Sequence, residues 1–187
     1  MQLRLAGAAL AALVSVVPFR SLHAQSKIGW LAGGGVSLPS GEFNAYANKG
    51  WAITVGAERR LGNGRVALRI DGTYARNTDT TGVGFHEDTR LMNVMANVVY
   101  HFRGAQPRIY FLAGAGVFAR RFSTNDEEDP SLKDTYPGFQ VGEGILFRVK
   151  SATLFLEARF VASAGKNDLQ FVPVVLGVRF GDSRIVR

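Results

Sequence analysis

The 187-residue sequence contains no cysteine. This excludes a disulfide framework and metal sites that use thiolate ligands. Beyond its N-terminus the sequence also lacks an apolar run near the ~20 residues that a spanning helix needs, so we expect no transmembrane helix. Glycine (22 residues) and phenylalanine (13 residues) are abundant, which is typical of strands and turns rather than of a helical bundle.

The N-terminus has the pattern of a secretory signal peptide. Arg4 supplies the positive charge, an apolar run extends over Leu5–Phe19, and small residues in Ser21–Ala24 offer a cleavage point. The apolar run is shorter than a typical spanning helix. We therefore predict a cleavable signal peptide over residues 1–24 and one exported domain over residues 25–187. The alternative is an uncleaved anchor.

Eight segments combine strand-forming residues with a two-residue alternation of apolar and polar side chains. Most are about 11–13 residues long, whereas globular strands average ~5–6 residues and a tilted strand that crosses a bilayer needs ~9–11. The segments are 27–38, 50–60, 65–76, 90–102, 108–120, 138–150, 153–163 and 169–180.

The connections between these segments alternate in length. Tight polar turns at 61–64, 103–107 and 150–152 alternate with loops at 39–49, 77–89, 121–137 and 164–168. Short turns at one end and longer loops at the other are typical of outer-membrane barrels, in which the short turns are periplasmic. The sequence therefore predicts an all-β fold, an eight-stranded antiparallel up-and-down transmembrane β-barrel. A soluble periplasmic barrel of the lipocalin type is the alternative.

Alternation in the third segment shows how the two faces would be used. In a membrane barrel, Leu68 and Ile70 face lipid, whereas Arg69 and Asp71 point into the lumen. The sixth segment does not fit this pattern, because Glu143 shares its parity with the apolar residues around it. A bulge or a reversed orientation of that strand would each resolve the conflict.

The same parity predicts a set of charged residues inside the barrel. An eight-stranded barrel has an interior only just wide enough for its side chains, and buried charges there must be paired. We expect Arg69 and Asp71 to pair with Glu157 and Arg159. The network as a whole, which either fills the lumen or acts as a gate for a narrow water path, comprises Glu58, Arg69, Asp71, Glu157, Arg159 and Arg179.

Aromatic residues lie near the predicted strand ends, as in the interfacial girdles of membrane barrels. The expected periplasmic girdle is Trp30, Tyr100, Phe102, Tyr110 and Phe180. The expected outer girdle is Trp51, Tyr74, Phe118 and Phe171.

Four stretches carry a resemblance to a known family: PRIYFLAGAGVF from Pro107, GFQVGEGILFRV from Gly138, LFLEARF from Leu154 and VVLGVRF from Val174. With these motifs the chain resembles the OmpA/OmpX-like outer-membrane β-barrel domain family, over about Gln25 to Phe180. The resemblance implies a location in the cell outer membrane and recognition by the outer-membrane insertion machinery. In the family, a C-terminal aromatic serves that recognition.

The chain departs from the family pattern in two respects. Phe180 is the candidate for the recognition aromatic, although seven further residues follow it. The peptidoglycan-binding domain that follows the barrel in full OmpA proteins is absent from this sequence.

The predicted signal peptide contains Arg4 and Arg20 and no acid, so the net charge of +7 becomes +5 for residues 25–187, and the rims of such a barrel account for much of it. A basic chain suits nucleic acid, but an exported chain does not meet it, so we predict no nucleic-acid partner. Basic residues beside the short turns would instead contact anionic lipid headgroups. At the outer rim, Arg120 and Arg121 are the candidates for contact with lipopolysaccharide phosphates. We expect a monomer surrounded by outer-membrane lipids and lipopolysaccharide.

Two loops contain residues that could form a cation site or an enzyme active site. The acidic run Asp126–Asp129 suits a hard cation but has no EF-hand spacing, and His86 beside Glu87 could belong to a lipid-modifying enzyme. Neighbours on a strand point to opposite faces, so adjacency alone makes no catalytic pair. We therefore predict no catalytic residues, metal or cofactor, and a structural or surface-interaction role with a largely filled lumen. A narrow-pore or small-ligand transport protein is the alternative, followed by an outer-membrane lipid-modifying enzyme.

Overall fold

In the computed structural model the chain forms a closed barrel of eight antiparallel strands, each paired with the next and β1 paired with β8. The structure describes residues 28–45, 47–79, 88–104, 106–123, 133–149, 152–164 and 169–181. The strands are β1 (Ile28–Ser40), β2 (Ala47–Leu61), β3 (Val66–Asp79), β4 (Asp88–His101), β5 (Arg108–Ser123), β6 (Lys133–Val149), β7 (Ala152–Ser163) and β8 (Gln170–Phe180). The predicted fold class is confirmed. The predicted signal peptide lies outside the described residues.

Side-chain burial alternates along the strands, as a two-faced barrel wall requires. On β3, Leu68 and Ile70 are 52% and 62% exposed, whereas Ala67, Arg69 and Asp71 are buried. The exposed row is apolar and the buried row contains the charges. The outer surface therefore suits lipid, and the charged side chains are enclosed in the lumen.

The connections confirm the two ends, and the first three of the longer connections are shorter than the sequence predicted. The turns at 62–65, 102–107 and 150–151 lie at one end, and the connections at 41–46, 80–87, 124–132 and 164–169 lie at the other. The predicted loop over 121–137 was wrong in its bounds, because β5 continues to Ser123 and β6 begins at Lys133. These polar residues remain in the sheet, where Arg121 pairs with Lys133. Backbone hydrogen bonding between the strands satisfies their N–H and C=O groups, and it does not depend on the side chains.

A 3-10 helix at Gly41–Ala45 occupies the connection between β1 and β2. Its Phe43 is fully buried and packs into an apolar cluster at the outer end of the lumen, with Leu91, Phe118 and Phe171 among its members. Within the part of the chain that the structure describes, no helix is long and apolar enough to cross a membrane.

Glycines in the wall of β6 make room for large side chains inside the barrel. A Cβ at Gly142 would lie 2.7 Å from Cγ of Arg159, and a Cβ at Gly144 would overlap the ring of Tyr110. These two glycines therefore allow an arginine and a tyrosine to cross a narrow lumen.

Three aromatic residues predicted for the girdles lie inside the barrel instead. Tyr110, Phe118 and Phe171 are buried in the lumen, whereas Trp30, Trp51 and Phe180 are among the girdle residues that are exposed on the outer face. The prediction was wrong for Tyr110 and Phe118 because β5 is apolar on both faces, so that alternation could not identify its inner row. It was wrong for Phe171 because that residue was assigned to the girdle from its position near a strand end, although the alternation of β8 places it on the inward row.

Glu143 lies on the outer face of β6. The strand keeps a regular register through this point, with Glu143 opposite Phe111 on β5 and Ala158 on β7. Glu143 is exposed between the exposed Val141 and the half-buried Ile145, while Gln140 is buried. Neither the bulge nor the reversed orientation considered from the sequence occurs, and a carboxyl group is placed among apolar residues that face lipid.

We predict that Glu143→Leu stabilises the protein in a bilayer. The carboxyl group is costly on a lipid-facing surface, and its removal should raise the free energy of unfolding by about 1 kcal/mol, less than the ~2–4 kcal/mol that lipid-facing Lys or Arg cost. Urea unfolding in phospholipid vesicles measures the change. Val141→Leu, at the neighbouring outward position, is the control and should change little. Unchanged or lower stability of Glu143→Leu relative to that control would contradict the prediction.

Candidate functional site

The lumen contains charged residues between two apolar clusters. Along β3, Arg69 and Asp71 lie between Ala75 of the outer cluster and Ala67 of the periplasmic cluster. The outer cluster contains Phe43, Ala47, Ala52, Ala75, Leu91, Met95, Phe118, Val161, Leu169 and Phe171. The periplasmic cluster contains Leu31, Ala67, Val99, Tyr110, Leu112, Leu146, Phe155 and Val175.

Strand β7 has the same order as β3. Glu157 and Arg159 occupy positions between Val161 of the outer cluster and Phe155 of the periplasmic cluster. Because alternate residues of a strand share a face, the repeated order on both strands places the charges in one layer. Along these strands the charged positions therefore lie between apolar ones, and the buried Asn77 and Ser163 follow toward the outer end.

Arg69 is the centre of one half of the charged layer. Its Nε and Nη2 donate to Oε2 of Glu58 at 3.1 and 2.9 Å, and its Nη1 donates to Oε2 of Glu157 at 2.5 Å. The Tyr110 hydroxyl also donates to Glu157, and the guanidinium carbon of Arg69 lies 5.2 Å from the centre of the Tyr110 ring. One arginine thus joins carboxylates from β2 and β7 across the lumen, in the multidentate geometry that favours arginine over lysine.

Arg159 is the centre of the other half. Its Nη1 donates to Oδ1 of Asp71 at 2.9 Å, its Nη2 donates to Oγ1 of Thr54 at 2.8 Å, and its Nε lies 2.9 Å from Oε1 of Glu157. Glu157 therefore contacts both Arg159 and Arg69, and it links the two halves into one network.

Neutral side chains complete the hydrogen bonding of Asp71. The Asn97 amide donates to Oδ2 of Asp71 at 2.8 Å, and the Gln140 amide donates to Oδ1 at 3.3 Å. Gln140 also donates to Oδ1 of Asn97 at 2.6 Å. A buried carboxylate needs such donors as well as an opposite charge, because its desolvation is costly.

The network extends from Glu58 toward the periplasmic end. Arg179 of β8 donates through Nη2 to Oε1 of Glu58 at 2.6 Å. The Nε2 of His101 lies 2.9 Å from the same oxygen. The six charged residues expected in the lumen are thus all buried, and each contacts at least one oppositely charged member of the set.

Several members of this site were not identified from the sequence. Thr54, Gln140 and Tyr110 contribute hydrogen bonds to the network, and Phe43 covers its outer side from a connection predicted to be a loop. The alternation of apolar and polar residues could have placed Thr54 and Gln140 on the inward rows of their strands. Phe43 lies in a connection, where no such alternation exists. His101 of β4 is also buried in the lumen.

The charged side chains of the lumen are held in buried ion pairs with one another. Among the described residues, no group of three or more metal-ligating side chains is present. His86, Glu87 and the acidic run Asp126–Asp129 lie outside the described residues.

The two arginines considered for the outer rim occupy different faces. Arg120 follows the parity of the buried Phe118 and is in register with the buried Leu91, so it belongs to the lumen-facing row at the outer mouth. Arg121 occupies the neighbouring, outward-facing row, in register with Arg90. Of the two, only Arg121 holds a position on the lipid-facing surface.

Several solved structures share this fold, including the three that follow. Neisserial surface protein A is 19% identical, with a TM-score of 0.60 and coverage of 83% of this chain and 97% of that chain. Ail, the attachment invasion locus protein of Yersinia pestis, in complex with the heparin analogue sucrose octasulfate, is 16% identical, with a TM-score of 0.54 and coverage of 84% and 100%. A major outer membrane protein from Thermus thermophilus is 13% identical, with a TM-score of 0.59 and coverage of 84% and 99%. At these identities the likeness concerns the fold.

Sequence comparison gives the family. No curated protein sequence matches the chain significantly. The outer membrane protein β-barrel domain family matches residues 6–180, nearly the whole chain. The resemblance to OmpA/OmpX-like barrels is confirmed. This chain belongs to the outer membrane protein β-barrel domain family and is a protein of the cell outer membrane.

Proposed function

We propose that this protein is a membrane-anchored surface barrel with a closed lumen, whose role is structural or lies in contacts at the cell surface. The observation that carries the proposal is the layered lumen, in which paired charges lie between two apolar clusters. Conduction needs a continuous polar path, and the outer cluster, in which Phe43, Phe118 and Phe171 pack together, supports a lumen without one. The names of two barrels with this fold, a surface protein and an attachment protein, describe the same class of role.

The charged layer supports a static rather than a gating role. Each gating movement would have to separate buried ion pairs, and leaving one partner unpaired costs about 3–5 kcal/mol. Arg69 makes three hydrogen bonds to two carboxylates, so it cannot move without breaking several contacts together. The network therefore supports a structural role, in which it fills the lumen and fixes the positions of the strands around it.

The outer end of the lumen is also covered. Phe43 of the 3-10 helix is fully buried in the outer cluster, where the rings of Phe118 and Phe171 lie 6.0 Å apart. This packing supports a barrel that presents its outer connections to the surroundings rather than one that admits solutes.

An enzyme is the less favoured function. Outer-membrane enzymes place a base and a nucleophile where substrate reaches them. Among the described residues, the histidine at position 101 is enclosed by Glu58 and by the ring of Tyr110, whose centre is 5.5 Å from that of the imidazole. Its position supports a packing role.

We expect no channel events when the purified barrel is inserted in planar lipid bilayers. Arg159→Ala should also remain closed, because the outer apolar cluster is unchanged. A porin reconstituted in the same way serves as the positive control. Unitary conductance steps from the wild type would reject the closed lumen and favour transport, and steps from Arg159→Ala alone would identify the charged layer as the barrier.

We expect Arg69→Met to lower the free energy of unfolding in lipid vesicles by about 3–5 kcal/mol, because it leaves Glu58 and Glu157 buried without their shared donor. Urea unfolding followed by tryptophan fluorescence measures the change. Arg59→Met is the matched control, since Arg59 is exposed at the periplasmic end of β2 and its loss should cost within about 0.5 kcal/mol. Equal stability of the two variants would contradict a structural network.

We expect no turnover when the purified barrel is assayed for hydrolysis of lipid A and of ester substrates. A His86→Ala variant, prepared in parallel, tests the histidine considered from the sequence. Activity in the wild type that is lost in this variant would replace the proposal with an enzymatic function.

A further inference from the structure

Glu143 occupies the middle of the outward-facing row of β6, which is apolar on both sides of it. Phe139 and Val141 precede it toward the outer end, and Ile145 and Phe147 follow it toward the periplasmic end. Glu143 itself is exposed. The barrel therefore presents a carboxyl group to its surroundings at a level where the wall of this strand is otherwise apolar.

The outward-facing positions beside Glu143 contain no hydrogen-bonding side chain. Directly opposite are Phe111 on β5 and Ala158 on β7. The diagonal positions on the same two strands are Ile109, Ala113, Leu156 and Phe160. A hydrogen bond to this carboxyl group along the outer wall therefore needs a polar group from another molecule.

The depth of Glu143 limits what that molecule is. Six residues separate Glu143 from Val149 on the periplasmic side, and six separate it from Pro137 on the outer side. At ~3.3 Å per residue and a tilt of ~40°, six residues span about 15 Å along the membrane normal, and the apolar band of such barrels is ~25 Å tall. Glu143 thus lies near the centre of the bilayer, too deep for lipid headgroups to reach.

A second copy of this chain carries a polar group at the same depth. The lipid-facing rows of membrane barrels are apolar at this level, so an unrelated barrel offers no partner there as a rule. In a dimer whose two-fold axis is parallel to the membrane normal, a residue beside the axis meets its own copy. Ala158 leaves a depression between Phe111 and Phe160, which allows two walls to approach closely beside Glu143.

A carboxyl group is also chemically suited to pair with its own copy. A charged carboxylate is costly in hydrocarbon, and two carboxylates in contact repel each other. A protonated carboxyl group has both an O–H donor and a C=O acceptor, so two of them form two reciprocal hydrogen bonds. The group that is costly in a barrel surrounded only by lipid is thus satisfied when two barrels meet.

We propose that two copies of this protein associate side by side in the membrane through the outer face of β5, β6 and β7, with Glu143 of each copy hydrogen-bonded to Glu143 of the other. An ionisable residue inside a membrane marks a functional site, and here that function is self-association. The proposal goes beyond the proposed function, and it replaces the monomer expected from the sequence with a two-fold dimer.

Site-directed cross-linking in a bilayer tests the proposal. Because the chain contains no cysteine, A158C and A57C each introduce a single thiol. Ala158 is next to Glu143, whereas Ala57 is on the outward row of β2, at the opposite side of the barrel, and both alanines are half-buried. Each variant, alone and combined with E143Q or E143L, is folded in phospholipid vesicles at a low protein-to-lipid ratio and treated with a short, membrane-permeable bismaleimide.

We expect A158C to give a cross-linked dimer and A57C to give only background. E143Q should retain the dimer, because an amide is likewise both donor and acceptor. E143L should reduce the dimer by at least about tenfold, although leucine makes the wall more apolar, because the reciprocal hydrogen bonds are lost. Sedimentation equilibrium in detergent micelles, with cysteine-free protein, should show dimers for the wild type and E143Q and monomers for E143L.

Four results would overturn the proposal. Equal cross-linking of A158C and A57C would indicate crowding, and an undiminished dimer of E143L would assign the association to apolar packing. A monomeric wild type in both measurements would reject the dimer. In isolated outer membranes, cross-linking of A158C to a different protein in place of a second copy would reject self-association. Folding is checked by the slower migration of unheated barrel in electrophoresis, and E143A replaces E143L if the latter does not fold.

Discussion

Pairing of buried charges inside a narrow lumen is the constraint on which the rest of this barrel depends. Arg69 and Arg159 enter from β3 and β7, and their carboxylate partners enter from β2, β3 and β7. Glu157 contacts both arginines, so it joins contacts that originate on separate strands. Because an unpaired charge in the lumen is costly, the network is satisfied only when these strands occupy their closed positions. Local alternation alone would allow many registers, whereas the pairing favours one.

The wall of the barrel is adapted to these large polar groups. Gly142 lies beside Arg159 and Gly144 lies beside Tyr110, and in both cases a side chain on the glycine would occupy space that the larger residue uses. Thr54 and Gln140 meanwhile supply hydrogen bonds that the carboxylates and guanidinium groups still need. Size and polarity are thus matched across the lumen, with an apolar cluster on each side of the pairs formed by Arg69 and Arg159.

Much of this arrangement could be predicted from alternation, and the failures share a physical cause. Where a strand is polar on one side only, as in β3, parity separates Ile70 from Asp71 correctly. Where both rows are apolar, as in β5, alternation does not show which face Tyr110 occupies. Its inward position is recognised only from its contacts with Gly144 of β6 and Glu157 of β7. Phe43 could not be found at all, because its burial depends on a 3-10 turn and on distant strands rather than on any period.

Charged groups on the outer surface follow a different rule from those in the lumen. In the lumen, Arg69, Arg159 and Arg179 each pair with a carboxylate of the same chain. On the outward row, the register sets Arg90 opposite both Arg76 and Arg121. Glu143 is the opposite case, a single acid among apolar neighbours on the same surface. Pairing therefore governs where charge lies inside the barrel, whereas Glu143 lies where the alternation of its strand places it.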